Sequence, residues 1–497
     1  MTTLVKEISG LTYDDFRTIE GYFLSDECAK DLLISDFEYQ GHYTKRSTST
    51  NLGFIAFTKD RRSEINGREV AWPDGNQEAI ENIDHISLLV TEHPIEELKE
   101  TLPQFIVENT WKFMLALSQK IRSANTAKVI AITGSVGKSS TRLMVDQLLQ
   151  PSHDILSNRG NHNTRFAIPL YLCKASQGPE ILNLEVSLNA LNNRDSGPMS
   201  PLIQPDIALV TSVGEAHMAT FKSIEQLAEY KGRVYDGLSA NGIAIINRDI
   251  HDHLYQILLA KAQKKTNRIR TYSMTDPDAD LYLVKKSELK HGVEITISLN
   301  EKRYTYFLNI SSKGMVENSL AALLIIDSLG IPITQCTKNF AQYRSLPKIL
   351  EETHYSCQNK EITVLDDTHN ASIPAMINAI EAFKQKHVYY GGKKILVLGQ
   401  IADLGSQAET LHQTLLPWIN ESGADLLLGY GPLMQAVTEQ CQLESAWFDN
   451  LQDLVQKIKH EMTDQSFILL KGSVSHSDFH QISGLLKRSL RETVRNS

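Results

Sequence analysis

The chain has 497 residues, of which 41% are hydrophobic and 22% are charged, and its formal net charge is −9. At roughly 100–200 residues per domain, this length predicts about three domains with buried cores that need no disulfide staples. The acidic balance argues against a general nucleic-acid binder, and no run of about 18 apolar residues occurs, so we expect no membrane span and a cytoplasmic protein.

The first part of the chain, residues 1–122, mixes short strand patterns with helical segments. GFIAF at residues 53–57 and HISLLV at residues 85–90 are typical of buried strands. We interpret this part as a small N-terminal α/β domain that recognises a substrate.

From residue 123 onward, strand and helix patterns alternate. Apolar runs at 129–133, 181–186, 206–211 and 242–246 have the near-continuous hydrophobicity of strands that are buried on both faces. Helices are predicted between and after them, over residues 140–149, 224–238 and 318–329. This alternation predicts a central domain at 123–346 with a mostly parallel sheet.

The alternation restarts in a third domain at residues 347–497. The apolar runs at 362–365, 394–398, 426–428 and 467–470 predict strands with helices between them. The pattern resembles a doubly wound, Rossmann-like fold. The predicted fold class is therefore α/β with three domains.

The segment VIAITGSVGKSSTRLMVDQLL combines a strand, a glycine-rich turn and a helix, which is the context that a phosphate-binding P-loop requires. Gly134 and Gly137 allow backbone N–H groups to face phosphates. Lys138 can reach the β- and γ-phosphates, and the Ser139 hydroxyl can coordinate Mg²⁺. The pattern departs from G-x-x-x-x-G-K-[ST] because Ile132 stands at the first glycine position. A chance Gly-Lys-Ser turn is the alternative, and the flanking strand and helix argue against it.

Three further side chains follow the next predicted strands. Glu185 lies near the end of one strand, where parallel sheets place ligand groups, and a carboxylate suits Mg²⁺. His217 and Lys231 follow the strand at 206–211. The alternatives are a surface glutamate, a structural histidine and a solvated lysine.

Several stretches, ordered along residues 125–480, resemble motifs of the Mur ligase family. Members of this family form amide bonds in peptidoglycan synthesis, and relatives extend folate with glutamate. The stretches are AITGSVGKSST, NRGNHNTRFAIPLYL, LNLEVS, PDIALVTSVGEAHMATFKSIEQLAEYKGRVYDGLSANGIAIINRDI, ENSLAALLIIDSLGI, VLDDTHNASIPAM, VLGQIADLG and LLKGSVS.

The resemblance implies a role for each matched residue. Lys138, His217 and Lys231 would be catalytic, with Lys231 carbamylated. Ser139, Glu185 and His217 would bind Mg²⁺. The residues implied in ATP binding are Thr133, Gly134, Ser135, Val136, Gly137, Lys138, Ser139, Ser140, Asn318, Arg344 and Asp366. Those implied in substrate binding are Asn163, Asn370, Lys471 and Ser473.

The chain also departs from the family pattern. His369 stands where the family has Tyr, Ser372 begins the place of its Asn-Pro, and Thr164 and Ala167 replace an Asn and a Gly. The D-S-R expected in the N-terminal domain is absent from its nearest candidate, residues 47–52. These departures leave the two substrates open.

The resemblance implies an ADP-forming ligase that joins a carboxylate to an amine through an acyl-phosphate. An amino acid or dipeptide would be added to an acceptor such as UDP-N-acetylmuramoyl-tripeptide. We expect small-molecule partners only, a monomer, and a hinge near residues 344–348. The alternatives are a Mur-type ligase acting on a metabolite outside peptidoglycan, a P-loop phosphotransferase or NTPase switch, and a non-catalytic nucleotide-binding subunit.

Overall fold

The computed structural model describes residues 10–194, 196–214, 221–289, 291–357, 359–475 and 477–495. The candidate ligand His217 lies outside the described residues. Within the described ranges, no helix is long and apolar enough to cross a membrane.

The strands, many of them buried along their whole length, are bounded in chain order as follows. They are β1 Leu11–Thr12, β2 Tyr22–Phe23, β3 Leu33–Ile34, β4 Asp36–Glu38, β5 Leu52–Ile55, β6 Leu88–Thr91, β7 Gln104–Ile106, β8 Lys128–Thr133, β9 Ile155–Ser157, β10 Ile181–Glu185, β11 Ile207–Val210, β12 Ile243–Asn247, β13 Ile269–Ser273, β14 Leu281–Leu289, β15 Gly292–Leu299, β16 Lys302–Leu308, β17 Glu351–Cys357, β18 Lys360–Asp366, β19 Lys394–Gly399, β20 Leu426–Tyr430, β21 Glu444–Phe448 and β22 Ser466–Lys471.

The α-helices are bounded in the same way. They are α1 Tyr13–Phe16, α2 Asp26–Ala29, α3 Gly41–Thr44, α4 Lys59–Asn66, α5 Gly75–Ile80, α6 Thr110–Ala124, α7 Lys138–Leu149, α8 Ala167–Lys174, α9 Ser200–Ile203, α10 Ile224–Lys231, α11 Asp252–Gln263, α12 Lys313–Ser328, α13 Ile373–Lys386, α14 Ala408–Gln413, α15 Leu416–Asn420, α16 Pro432–Gln440, α17 Leu451–Glu461 and α18 Ile482–Arg495. Turns of 3₁₀ helix include Gly232–Gly237, Thr337–Gln342 and His387–Tyr389.

The chain divides into two compact units. The first unit comprises Met1–Ala131, Ser152–Ala208 and Arg233–Gly242. Its five-stranded sheet has the order β2-β7-β6-β5-β4, in which β4 to β7 pair in parallel and β2 is antiparallel. Strands β9 and β10 also pair in parallel. The prediction of a small α/β fold before residue 122 is confirmed.

The second unit comprises Ile132–Pro151, Leu209–Gly232 and Ile243–Ser497. Strands β12, β13 and β14 pair in parallel, and β14, β15 and β16 form an antiparallel meander. The sequence analysis did not predict this meander. Strand β14 is largely exposed and carries the polar run KKSE, so its sequence lacks the apolar run that identifies a buried strand.

The C-terminal lobe, residues 351–495, contains a six-stranded sheet in the order β17-β18-β22-β19-β20-β21. All neighbouring pairs are parallel except β17 with β18. The apolar side chains of β18, β19, β20 and β22 pack against α17 and α18 in one core cluster. The predicted Rossmann-like arrangement is thus present, with an added antiparallel edge strand.

Two helices depart from the predicted bounds, and capping explains the start of one of them. Helix α12 begins at Lys313 rather than at residue 318, because the Ser312 hydroxyl caps it by accepting the N–H of Met315 at 3.1 Å. It ends as predicted before Gly330, whose φ of +80° suits a helix C′ residue. Helix α10 ends at Lys231, and the rest of the predicted helix is a 3₁₀ segment.

Candidate nucleotide and active site

The phosphate loop, residues 133–139, joins β8 to α7. Its backbone is attached to the segment after β11: Ser135 N donates to Ser212 O at 3.0 Å, and Val136 N donates to the Ser212 hydroxyl at 2.9 Å. The Thr211 hydroxyl donates to Val136 O at 2.6 Å. Neutral groups of Thr211 and Ser212 therefore attach the loop to the segment after β11.

The two loop glycines are required by sterics. Gly134 has a φ of +156°, and a Cβ placed on it would lie 1.9 Å from the Thr211 hydroxyl oxygen. Gly137 has a φ of +87°, and a Cβ there would lie 2.4 Å from Asn318 Oδ1. Neither position can accept a side chain without displacing a neighbour. Both glycines that were predicted to shape a phosphate site thus adopt positive φ angles, which residues with a Cβ rarely adopt.

Two lysines lie close together beside the loop. The Lys138 ammonium donates to Gly134 O at 2.9 Å and to Ser135 O at 3.4 Å. Lys231 is only 1% exposed. Burial, and then the positive charge of Lys138, hold the pKa of Lys231 well below its ordinary value. The solvated-lysine alternative for Lys231 is therefore wrong.

Asn318 contacts the start of α7, where the Thr141 hydroxyl donates to its Oδ1 at 3.3 Å. The residue before it, Glu317, accepts a hydrogen bond from Asn247 Nδ2 at 2.5 Å. Asn247 Nδ2 also donates to Thr211 O at 2.9 Å. Burial raises the pKa of Glu317 to about 7. Asn247 thus joins Glu317, the neighbour of the nucleotide candidate Asn318, to Thr211, which supports the phosphate loop.

In the first unit, Glu185 is held with its carboxylate in a defined orientation. The residue is 2% exposed, and Asn163 Nδ2 donates to Glu185 Oε1 at 2.7 Å. Asn158 bonds both backbone groups of Glu185, each at 2.8 Å. The surface-glutamate alternative is wrong, and two predicted site residues, Asn163 and Glu185, are in direct contact.

The third domain brings its predicted site residues to the carboxyl ends of β18 and β22. Asp366 Oδ1 accepts the N–H and the hydroxyl of Thr368, at 3.0 and 2.6 Å. Asn370 is exposed, and Ser473 is buried with its N–H donating to Gln400 O at 3.0 Å.

The Lys471 ammonium is buried and pairs with Asp367 at 2.7 Å. It also donates to Asn370 O at 2.6 Å. Sequence reasoning did not single out Asp367 or Thr211. The doubled Asp of the LDDT stretch was the available signal for Asp367.

Arg344 is exposed. Its backbone is bound by Gln147, and it lines a cavity of about 380 Å³ together with Ser311 and Glu352. Among the described residues, no group of three or more His, Cys, Asp or Glu side chains could hold a metal ion.

Two family models match the chain. The Mur ligase middle domain matches residues 132–326, and the glutamate ligase domain of Mur ligases matches residues 353–474. The first match contains the phosphate loop, Glu185, Lys231 and Asn318. The second contains Asp366, Asn370 and Lys471.

Similar curated proteins carry the name UDP-N-acetylmuramoyl-tripeptide--D-alanyl-D-alanine ligase. The one from Escherichia coli (strain K12) is 27% identical over 377 residues, covering 75% of this chain and 80% of that protein. The one from Rickettsia prowazekii is 28% identical over 408 residues, covering 80% and 87%. The one from Bacillus subtilis is 28% identical over 373 residues, covering 74% and 78%.

Solved structures share the fold at lower identity. A crystal structure of MurF from Acinetobacter baumannii has a TM-score of 0.79 at 20% identity, covering 97% of this chain and all of that one. The MurF ligase from Thermotoga maritima in complex with ADP has a TM-score of 0.74 at 20% identity, covering 93% and 99%.

The three-domain fold and the phosphate site define an ATP-dependent, ADP-forming ligase that joins a carboxylate to an amine. The chain belongs to the Mur ligase family. The predicted class of enzyme is confirmed, and a non-catalytic nucleotide-binding subunit is not supported.

Proposed function

We propose that the carboxylate substrate is UDP-N-acetylmuramoyl-tripeptide and that the amine is D-alanyl-D-alanine, joined in the cytoplasm by a monomer for peptidoglycan synthesis. The observation that carries this proposal is the shared name of relatives from distant bacteria, which match over about three quarters of the chain or more. The domain boundaries we propose are those expected from the sequence: 1–122, 123–346 and 347–497.

The mechanism begins with attack of a substrate carboxylate oxygen on the γ-phosphorus of ATP, which forms an acyl-phosphate and releases ADP. Lys138 and the loop N–H groups bind the phosphates and stabilise the charge that spreads over the transferring group. Thr211 and Ser212 keep the loop in place through the hydrogen bonds described above. The amine nitrogen then attacks the acyl carbon, loses a proton, and expels inorganic phosphate.

The nucleotide contacts in this proposal are those that the family resemblance implies. Asn318 binds the adenine, and Arg344 and Asp366 contact the nucleotide from the third domain and its linker. The full set of nucleotide residues is Thr133, Gly134, Ser135, Val136, Gly137, Lys138, Ser139, Ser140, Asn318, Arg344 and Asp366. Asn163, Asn370 and Ser473 contact the two substrates.

The available donors fit Mg²⁺, because hydroxyl and carboxylate oxygens are the ligands that this ion prefers. Ser139 and Glu185 would hold one Mg²⁺, and Glu185 with His217 would hold a second. The buried Glu185 carboxylate, oriented by Asn163, supports this assignment. When bound, Mg²⁺ neutralises negative charge on the phosphates.

Lys231 is proposed to react with CO₂ to form a carbamate. The lone pair of a neutral amine forms the N–C bond, and one proton is released. Burial and the neighbouring Lys138 favour the neutral amine, which is the reactive form. The product is an anion, which the positive charge of Lys138 would stabilise and which could support the second Mg²⁺.

The function is tested by phosphate release from ATP and Mg²⁺, with product mass measured in parallel. UDP-N-acetylmuramoyl-tripeptide and D-alanyl-D-alanine are supplied together and singly. Release that needs both, with one condensed product, is the expected result. Binding of ATP without release would contradict the proposed substrates and favour a ligase acting on a different acid and amine.

The carbamate is tested by ¹³C NMR in ¹³C-bicarbonate. We expect a carbamate carbonyl signal in the wild type that is absent in Lys231→Met and retained in Lys261→Met. The control residue Lys261 lies on the next helix, α11. Equal spectra for the wild type and Lys231→Met would rule out modification of Lys231.

A further inference from the structure

The linker between the central domain and the C-terminal lobe, residues 343–350, is anchored at its first end to the central domain. Asn309 Nδ2 donates to Tyr343 O at 2.8 Å. The Gln147 amide donates to Arg344 O at 2.6 Å and accepts Arg344 N at 2.9 Å. Residues 343 and 344 are therefore fixed to the central domain.

The second end of the linker is anchored to the C-terminal lobe. His369 N donates to Lys348 O at 2.9 Å, and Leu350 N donates to Asp367 Oδ1 at 3.0 Å. The Lys348 ammonium donates to His480 O at 2.7 Å. Residues 345–347 lie between the two anchored ends, and Ser345 and Leu346 are bonded to Ile349.

Backbone strain marks this second end. Lys348 has a φ of +61° and Leu350 a φ of +48°, in the left-handed region that side chains disfavour. Such residues persist only where the surrounding structure determines them. Here the acceptor that fixes Leu350 is the carboxylate of Asp367.

Asp367 is bound on its other oxygen by Lys471. The Oδ2–Nζ distance is 2.7 Å, and the two residues are only 5% and 3% exposed. Lys471 also donates to Asn370 O at 2.6 Å. Asp367 directly follows β18, and Lys471 is the last residue of β22, the parallel neighbour of β18. One buried ion pair therefore joins the linker, the loop at 366–370 and the end of β22.

The position of this loop matters to the phosphate site. Pro374, just after it, packs against Gly214, where an added Cβ would lie 2.8 Å from Pro374 Cγ. Gly214 in turn bonds the hydroxyl of Ser135 through both its N–H and its carbonyl, each at 3.0 Å. Displacement of the loop at 366–370 would therefore disturb Gly214 and, through it, Ser135 of the phosphate loop.

We propose that Asp367 and Lys471 form a positioning pair for the ligase reaction, which sets the loop at 366–370 and the linker end at Leu350. Lys471 acts through its bonds to Asp367 and to the Asn370 carbonyl. The pair makes the linker end move as part of the C-terminal lobe, so that motion between the lobe and the central domain pivots at residues 345–347.

The test uses the full-length double variant Asp367→Asn/Lys471→Met. It removes both charges and leaves no unpaired buried charge, so that the fold is retained. Hydrogen exchange is measured at the amides of Leu350 and His369. We expect their protection to fall by about tenfold or more, while the amides of β19 keep theirs.

Two further variants complete the design. Lys471→Arg keeps the positive charge and is expected to keep most of the protection. The control Lys393→Met/Glu461→Gln removes another ion pair of the same lobe and is expected to leave both amides protected. Unchanged protection in the Asp367/Lys471 double variant would overturn the proposal.

A kinetic measurement separates positioning from a merely structural role. With the substrates proposed above, kcat of the double variant should fall by about tenfold or more, because small misplacements of binding groups are costly. The KM for the carboxylate should stay within about twofold. An unchanged kcat would also overturn the proposal. The exchange experiment needs no substrate, so it stands even if the proposed substrates are wrong.

Discussion

The phosphate loop at 133–139 and the loop at 366–370 both lie at the carboxyl ends of parallel strands, yet they are held in different ways. The phosphate loop is shaped by two glycines and by the backbone and hydroxyl groups of Thr211 and Ser212. The loop at 366–370 is held by a buried ion pair between Asp367 and Lys471.

The two loops also differ in what they carry and in what they join. The loop that binds phosphates carries its own cation, Lys138, and is attached by neutral groups of Thr211 and Ser212. The loop at 366–370 is attached to the linker and to β22, which are distant from each other along the chain. The buried charge pair provides these attachments, at a cost in desolvation.

The largest effect is expected from Lys138→Met, which removes the one cation of the phosphate loop. We expect phosphate release to fall by about 10²–10³-fold, with stability changed by less than about 1 kcal/mol. The control is Lys128→Met, at the exposed start of β8, the strand that precedes the loop. This variant should leave the rate unchanged. A wild-type rate of phosphate release in the Lys138 variant would show that the phosphate loop does not need this cation.

A smaller effect is expected from Gly137→Ala. The control Gly330→Ala has a similar φ of +80° and nothing within 4 Å of its Cβ, so its cost is that of the backbone alone, about 1–2 kcal/mol. Gly137→Ala also meets Asn318 Oδ1 at 2.4 Å and should cost more. Urea unfolding and nucleotide titration measure both. Equal losses of unfolding free energy in the two variants would show that the Asn318 side chain moves away from the added Cβ at no measurable cost.

The smallest effect concerns the partly buried Glu317, which accepts a hydrogen bond from Asn247. Its pKa is raised to about 7 by burial and by Asp249, against the Asn247 hydrogen bond and Lys313. The folded state therefore binds more protons than the unfolded state between about pH 4.5 and 7, so stability falls as pH rises through this window.

Glu317→Gln should remove this slope and gain about 1–3 kcal/mol relative to the wild type at pH 8, but little at pH 4. Urea unfolding at the two pH values measures it. The exposed Glu294→Gln serves as the control. If the Glu317 variant keeps the wild-type slope, the carboxyl does not titrate in this window.

Much of the phosphate site could be predicted from sequence, because strand, turn and helix are contiguous there. Gly134, Gly137 and Lys138 are within five residues of each other, and local sterics dictate their conformations. Lys231 was predicted only through the family resemblance. Its burial depends on how α10 packs, which the helix sequence alone does not state.

The third domain was predicted less completely. Its parallel strands are apolar runs and were found, whereas the antiparallel edge strand β17 is polar and was not. The residues D-D and K-G-S were recognised as motifs. Their pairing was not, because Asp367 and Lys471 are about a hundred residues apart and meet only when β18 and β22 become neighbours.

The sequence predicted the α/β domains and the phosphate loop from adjacent residues with strong local preferences, and it predicted the class of enzyme through the resemblance to Mur ligase motifs. Tertiary structure alone decided that Lys231 is buried beside Lys138, that Asn163 holds Glu185, and that Lys471 binds Asp367. Those contacts join segments that are distant along the chain, and their geometry arises only from the register and packing of the folded sheets.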